Sequence, residues 1–248
     1  MRLTDDIRNL EELQKRIRQR ESLLPHTTRP FVAVSYAQSI DGSIATKNRR
    51  PLGISGRETL ELTHQLRSLF DGILVGINTV IADDPRLTVR LFEGQNPQPV
   101  VLDTHLRIPF ECKLLQRTDR CSWLASAADN DASRIAAFTR SGTQVLPCRL
   151  DGNGRIDLHY LSALLFQKGV KSLMVEGGAK VITSFIHAEL VDLFIITISP
   201  KFIGGLQVIE SRDGDLFTKL KLTGIRYETL GQDIVLWATP VWTGNEKA

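Results

Sequence analysis

The stretch Ser172-Leu-Met-Val-Glu-Gly-Gly-Ala179 joins a short apolar run to a carboxylate, two glycines and the start of an amphipathic segment. Such apolar runs are typical of buried parallel strands, and helices follow those strands in α/β folds. The stretch therefore predicts a strand over 172–176, a tight turn, and a helix over 179–188. Glu176 is expected at the carboxyl end of the strand, where ligands bind in open α/β sheets.

The glycine pair in this turn has two interpretations. Paired glycines let backbone N–H groups approach a phosphate, and the N-terminus of the following helix favours an anion. An ordinary tight turn is the alternative, because Gly177-Gly178 is neither a complete Gly-x-Gly-x-x-Gly fingerprint nor a Gly-Lys-Ser/Thr phosphate loop.

The same alternation of strands and helices extends over most of the chain. Further strands are predicted at 31–37, 72–77, 100–102, 122–125, 145–146 and 193–198, and further helices at 57–69, 132–140 and 157–168. Near the end, two β-rich runs over 225–230 and 234–238 flank Gly231-Gln232, which indicates an antiparallel hairpin. The expected fold class is α/β, with a mixed, mostly parallel sheet, helices on both faces and a C-terminal antiparallel hairpin.

The N-terminal segment has a different pattern. Ile7, Leu10, Leu13 and Ile17 recur at helical spacing, and the segment Pro25-His-Thr-Thr-Arg-Pro30 resembles a linker. We therefore expect residues 1–29 to form a helical extension with a linker, and residues 30–248 to form the main domain. The helix is expected to pack on that domain or on a partner subunit.

Composition excludes several classes of protein. Of the 248 residues 42% are hydrophobic and 24% charged, and a net charge of +3 does not indicate nucleic-acid binding. No apolar run is long enough for a membrane span or a signal peptide, so a cytoplasmic location is expected. The five histidines show no metal-ligand spacing, so no metal is expected. An odd number of cysteines without Cys-x-x-Cys favours reduced packing thiols at Cys112, Cys121 and Cys148.

A second group of polar side chains follows the strand predicted at 72–77. The segment Asn78-Thr-Val-Ile-Ala-Asp-Asp-Pro-Arg-Leu-Thr-Val-Arg90 offers hydroxyl, carboxylate and guanidinium groups. Arginine pairs naturally with phosphate, so these groups suit a polyhydroxy phosphate ligand. The structural alternative has Thr79 capping a short helix and Asp84-Pro85 forming a turn.

Taken in order, the pieces of this chain resemble the reductase of riboflavin biosynthesis. The matching motifs are Ser39-Ile-Asp-Gly42, Asp71-Gly-Ile-Leu-Val-Gly76, the run from Thr79 to Arg90, Val101-Leu-Asp103, Val175-Glu-Gly-Gly178, Leu190-Val-Asp192 and Pro200-Lys-Phe-Ile-Gly-Gly205. They cover about residues 30 to 240. The resemblance implies a dihydrofolate-reductase-like fold and an NADPH-dependent reductase domain over 30–248.

The resemblance also implies the ligands and the residues that bind them. NADPH would donate a hydride to a 5′-phosphorylated ribosylaminopyrimidine, whose ribose becomes a ribityl chain. The residues expected to line the cofactor are Ala37, Gly53, Thr79, Asp83, Thr104, Gly177, Gly178, Ala179, Lys180 and Val181, with the helix continuing to Ser184. Those expected to line the substrate are Arg67, Leu87, Arg90 and Glu176. Glu176 is also the expected catalytic residue, helping proton transfer as the sugar ring opens.

Several points stay open at this stage. Bifunctional bacterial members attach a zinc-dependent deaminase domain, which is not expected here, and they tend to carry Lys at the position of Ser35; the substrate is therefore either the deaminated or the diamino form. Thr104 and Arg107 are expected near the 2′-phosphate of NADPH. A homodimer is implied, with 193–198 expected as an exposed apolar strand. The alternatives are another pyrimidine or pterin reductase and a non-enzymatic nucleotide-binding module.

Overall fold

A computed structural model describes residues 3–24, 26–48, 52–209 and 220–243. In chain order the elements are α1 (Leu3–Leu23), β1 (Phe31–Ser39), β2 (Ser43–Ala45), α2 (Arg57–Leu69), β3 (Gly72–Gly76), α3 (Ile77–Asp83), β4 (Gln98–Leu102), β5 (Trp123–Ala127), α4 (Ala132–Arg140), β6 (Gln144–Cys148), α5 (Leu158–Gln167), β7 (Ser172–Gly177), α6 (Ala179–His187), β8 (Leu193–Ser199), β9 (Leu206–Gln207), β10 (Leu220–Leu230) and β11 (Asp233–Trp242).

The main sheet has nine strands in the order β10-β11-β8-β1-β7-β3-β4-β5-β6. The strands from β8 to β6 run parallel, whereas β11 pairs antiparallel with β8 and with its hairpin partner β10. This arrangement confirms the expected mixed, mostly parallel sheet with a C-terminal hairpin. Because seven neighbouring strands point the same way, their carboxyl ends share one edge, where ligands bind in such sheets.

The sheet is covered by helices on both faces, as expected. Val32 and Val34 of β1 belong to a buried cluster with α5 and α6, whereas Phe31 and Ala33 belong to a cluster with α1 and α2. A further cluster contains residues of α3 and α4 together with Ile73 and Val75 of β3. It lies on the same face of the sheet as Ala33, because Ile73 pairs with Met174 and Met174 pairs with Ala33. Strands buried on both sides explain the continuous apolar runs of the sequence.

Helix α1 packs on the body of the same chain. Leu13 is 1% exposed and lies in a cluster with Phe31 and Trp237. The carboxylate of Asp192 holds the helix against the domain through an ion pair with Arg20 at 3.0 Å. It also pairs with Arg29, in the linker after the helix, at 2.7 Å. The side chain of Ile7 lies outside the described part of the chain. The domain division at residue 30 stays a prediction.

One structural alternative and one expectation from the sequence are wrong. Thr79 does not cap a helix, because α3 begins at Ile77 and Gly76 occupies its N-cap. The segment 193–198 is not an exposed strand: β8 lies between β1 and β11 in the sheet, because the C-terminal hairpin pairs with its other side. The edge of the sheet on this side is formed by β10 instead.

The described residues contain no helix long and apolar enough to cross a membrane. They also contain no group of three or more His, Cys, Asp and Glu side chains arranged to hold a metal ion. The three cysteines are free thiols, with Cys112 and Cys148 buried and Cys121 exposed, so burial fits a packing role for the first two.

Candidate active site

Helix α2 brings two polar side chains to the centre of the molecule. Its N-terminus is capped by Asp233 from the C-terminal hairpin, whose Oδ2 accepts hydrogen bonds from the Gly56 N–H at 2.7 Å and the Thr59 hydroxyl at 2.6 Å. His64 and Arg67 stand three residues apart and so lie on the same side of the helix. The distant cap therefore fixes where both side chains lie.

Arg67 and Glu176 form a buried bidentate ion pair. The Arg67 Nε donates to Glu176 Oε1 at 2.6 Å, and Nη2 donates to Oε2 at 2.7 Å. The two side chains are only 11% and 15% exposed. Burial lowers the pKa of Arg67, but the Glu176 carboxylate and its hydrogen bonds raise it by more, so the net shift is upward. Arg67 is therefore permanently charged and rigidly oriented at the end of β7.

The segment before β4 wraps around this ion pair. The Thr88 carbonyl accepts a hydrogen bond from Arg67 Nη1 at 3.1 Å, and the Arg90 N–H donates to His64 Nδ1 at 2.9 Å. Leu87 has a positive φ of 51°, and its side chain is buried in the cluster beside α3. The segment thus crosses α2 at the ion pair, where its backbone is hydrogen-bonded to the side chains of Arg67 and His64.

Arg90 is the exposed cation of the site. Its Nη1 donates to the Thr88 hydroxyl at 2.9 Å. Burial lowers the pKa of Arg90, and the nearby charges of Arg67 and Arg86 lower it further, while Glu176 raises it. Two neighbouring guanidinium groups and one carboxylate therefore act on Arg90, and this balance of charge suits an anionic ligand.

The glycine turn after β7 lies directly against α3. The Thr79 hydroxyl donates to the Gly177 carbonyl at 3.0 Å. Gly177 and Gly178 have φ values of 82° and 47°, and a Cβ atom on Gly178 would lie 3.1 Å from Thr79 Oγ1. Both glycines are therefore required by the backbone conformation, and Thr79 approaches the turn closely.

This turn has the features that a dinucleotide phosphate needs. Gly178 is the N-cap of α6 and offers no side-chain cap, so the first N–H groups of that nine-residue helix have no side-chain acceptor. The backbone N–H groups that begin α6 suit a phosphate group, and glycine is needed at 178 because a Cβ there would lie only 3.1 Å from Thr79 Oγ1. Gly177, Gly178 and Ala179 could hold such a group through the backbone.

The other predicted cofactor residues lie around the same edge of the sheet. Ala37 lies near the end of β1, and Thr104 follows β4. Gly53 is in the loop before α2, where its carbonyl accepts a hydrogen bond from Lys201 Nζ at 2.9 Å. Asp83 is the last residue of α3 and is exposed, as is Lys180 on α6. Val181 is buried against the end of β3.

The structure places Arg67, Glu176, Thr79 and the two glycines close together, and the residues that hold them were not singled out from the sequence. These are His64, which receives the Arg90 N–H; Lys201, which holds the loop at Gly53 and Ile54; and Asp233, which caps α2. Lys201 lies in the quoted motif 200–205, and the spacing of His64 to Arg67 is a helical one. The motif could have drawn attention to Lys201, but helical spacing alone does not single out His64, and no quoted motif contains Asp233.

Comparison with known proteins identifies the family. The family model described as the RibD C-terminal domain matches residues 30–236. The chain belongs to this family. A relative from Archaeoglobus fulgidus, 2,5-diamino-6-ribosylamino-4(3H)-pyrimidinone 5′-phosphate reductase, is 38% identical over 222 residues, covering 85% of this chain and 98% of its own length.

Solved structures of this RibD family have the same fold. The riboflavin biosynthesis reductase of Saccharomyces cerevisiae matches with a TM-score of 0.70 and 26% identity, covering 90% of this chain and all of that one. RibD of Acinetobacter baumannii matches with a TM-score of 0.75 and 23% identity. The chain spans 60% of that longer RibD chain. The fold implied by the resemblance is confirmed, while helix α1 precedes the region matched by the family model.

Proposed function

We propose that this protein is an NADPH-dependent reductase of riboflavin biosynthesis, which converts a 5-phosphoribosylaminopyrimidine to its ribitylamino product. The observation that carries the proposal is the buried Arg67–Glu176 ion pair, which adjoins the uncapped glycine turn at the N-terminus of α6. The Glu176 carboxylate, which suits a sugar, is followed directly by the turn at Gly177 and Gly178, which suits a phosphate. This order suits a substrate that binds beside a nicotinamide cofactor.

The reduced nicotinamide supplies the hydride when it is bound. The protein's part is to bind and orient both ligands, since geometry accounts for much of the rate in such reactions. In this proposal the backbone of the turn at 177–179 holds the cofactor phosphates, with Thr79 supporting the turn from α3. Arg107, whose Nη2 donates to Asn78 Oδ1 at 3.2 Å, holds the 2′-phosphate and selects NADPH over NADH.

The substrate phosphate is assigned to Arg90. Its guanidinium is exposed, and the charges of Arg67 and Arg86 act on it from nearby. Arg67 contributes charge but is already engaged by Glu176. Each carboxylate oxygen of Glu176 can accept a second hydrogen bond, so this side chain suits the ribose hydroxyls and the proton transfer that accompanies ring opening.

The diamino pyrimidinone is the substrate form that we propose. The Archaeoglobus fulgidus relative carries that substrate in its name and is covered over nearly its whole length. The resemblance of the sequence points the same way, because Ser35 stands where bifunctional members tend to have Lys. The family resemblance also carries the proposal of a homodimer, and the exposed Ile225 and Tyr227 on edge strand β10 are compatible with one.

Loss of NADPH absorbance in the presence of each pyrimidine, diamino and deaminated, tests the function directly. We expect turnover that is faster with the diamino form and that disappears when the 5′-phosphate is removed. NADPH binding without turnover of either pyrimidine would establish the non-enzymatic module instead. Turnover that does not depend on the phosphate would indicate a pterin-type reductase.

A further inference from the structure

His64 is a fully buried titratable side chain beside the ion pair. It is 0% exposed, its Nδ1 accepts the Arg90 N–H at 2.9 Å, and its Nε2 is buried without a hydrogen-bond partner among the described residues. A histidine placed there only to fill space leaves a polar nitrogen unsatisfied, and an apolar residue would avoid that cost. The hydrogen bond that its Nδ1 accepts from the Arg90 N–H is therefore the feature that needs an explanation.

The surroundings of His64 keep its ring neutral. Burial lowers its pKa to about 4, and the charges of Arg67 and Arg90 act in the same direction, while Glu176 and the backbone of Thr88 oppose them. A neutral ring with a free Nδ1 lone pair carries its proton on Nε2. His64 is thus an acceptor for the Arg90 N–H throughout the neutral pH range.

Other hydrogen bonds also support the segment 87–90, including one from Arg117 Nη1 to the Leu87 carbonyl at 3.4 Å. The Val89 N–H donates to Asn96 Oδ1 at 2.6 Å, and the Thr88 carbonyl receives Arg67. Leu87 has a positive φ, which for a residue with a branched side chain persists only where the surroundings hold it. The hydrogen bond to His64 holds the backbone N–H of Arg90, and it comes from the same helix that carries Arg67.

We propose that His64 is a positioning residue for substrate binding, which holds the backbone of Arg90 so that its guanidinium and that of Arg67 face one phosphorylated ligand. This inference rests on the proposed function and deepens it. Its chemical role is confined to accepting one hydrogen bond, so any side chain with an acceptor at the place of Nδ1 should replace it.

A matched pair of variants tests this role. His64→Asn places its Oδ1 where Nδ1 lies, whereas His64→Leu has nearly the same volume and shape but no acceptor. We expect H64L to raise KM for the phosphorylated pyrimidine about tenfold, with kcat changed by less than about twofold. H64N should restore KM to within about threefold of the original enzyme. KM for NADPH should be unchanged in both.

Hydrogen exchange provides a second measurement that does not depend on turnover. The amide of Arg90 should exchange faster in H64L than in H64N, while core amides of β1 exchange alike. If H64L does not fold, His64→Met, which fills more of the ring's volume, takes its place. Equal KM values and equal Arg90 exchange in the Leu and Asn variants would overturn the inference. An inactive original enzyme would instead refute the proposed function, leaving the exchange measurement to decide on His64.

Discussion

Arg67 and Glu176 meet through two parallel hydrogen bonds of 2.6 and 2.7 Å, although 109 residues separate them in the chain. The contact joins α2 to the end of β7, so it links an outer helix to the centre of the sheet. A buried ion pair contributes little net stability when it is formed, but removing one partner strands the other charge. This pair is therefore a sensitive place to test the site.

Replacement of Arg67 should cost far more than replacement of an arginine on the surface of the same helix. We expect Arg67→Ala to lower the free energy of unfolding by about 3–5 kcal/mol, because Glu176 is left buried and unpaired. The control is Arg57→Ala, which breaks an exposed pair with Glu61 and should cost less than about 0.5 kcal/mol. Denaturant unfolding measures both. Similar losses in the two variants would show that the buried pair is unimportant.

Replacement of Arg90 should affect binding without affecting the fold. Its guanidinium is exposed, so Arg90→Ala should leave the unfolding temperature nearly unchanged. Losing a charged hydrogen-bond donor to phosphate should raise KM for the phosphorylated pyrimidine about 10- to 100-fold. Steady-state kinetics with the dephosphorylated pyrimidine serve as the control. An unchanged KM for the phosphorylated form would place the phosphate elsewhere.

Gly178 should be required for cofactor binding beyond its backbone conformation. Gly178→Ala places a Cβ at 3.1 Å from Thr79 Oγ1 and at the entrance to α6, so KM for NADPH should rise at least about tenfold. Gly142→Ala is the matched control, because Gly142 also has a positive φ but a Cβ there would contact nothing within 4 Å. Both variants should lose stability in thermal unfolding, G178A at least as much as G142A, because only the Cβ at 178 meets a neighbouring atom. Equal cofactor KM values would contradict the assignment of the turn.

Arg107 should decide the preference between the two nicotinamide cofactors. We expect Arg107→Ala to reduce the ratio of kcat/KM for NADPH to that for NADH about tenfold, because only NADPH carries the 2′-phosphate. Arg140→Ala, at the far end of α4, is the control. Rates measured with both cofactors give the ratio. If the original enzyme already uses NADH equally well, the assignment of Arg107 fails.

The pH dependence of stability should carry the signature of His64. Its folded pKa of about 4 lies below the value near 6.5 of an unfolded chain, so the unfolded state gains a proton first as the pH falls. Stability from this group is complete above about pH 6.5 and is lost progressively between about pH 6.5 and 4. H64N should show a shallower loss over that window in thermal unfolding. A slope identical in both proteins would contradict the lowered pKa.

The strands and helices could be predicted from the sequence because their signals are local. The structure shows the helix predicted at 132–140 with the same bounds, and there Asp131 is its N-cap and Gly142 follows its end. The strand at 193–198 was also predicted, but not its position inside the sheet. That position depends on β11, which pairs with β8 from a segment about 40 residues further along the chain.

The residues of the candidate site also fall into those that the sequence could predict and those that it could not. Glu176 and the glycines were predictable because a strand and a turn place them at the edge of the sheet. The pairing of Glu176 with Arg67 was not, because it depends on how α2 docks, and α2 docks under a cap from Asp233. His64 gave no signal of its own, since a lone histidine on a helix is usually part of the core.

The cap on α2 has a consequence for how this protein matures. Asp233 lies 174 residues beyond Thr59, in the last hairpin of the chain. During synthesis on the ribosome, α2 is made long before Asp233, whose carboxylate anchors it. Strand β8 is likewise made before β11, its neighbour on the outer side of the sheet. A nascent chain that ends before this hairpin already contains the side chains proposed to bind the ligands. It lacks Asp233, which holds the start of α2 and so positions Arg67. The ability to bind the ligands is therefore expected only after the hairpin of β10 and β11 has left the ribosome.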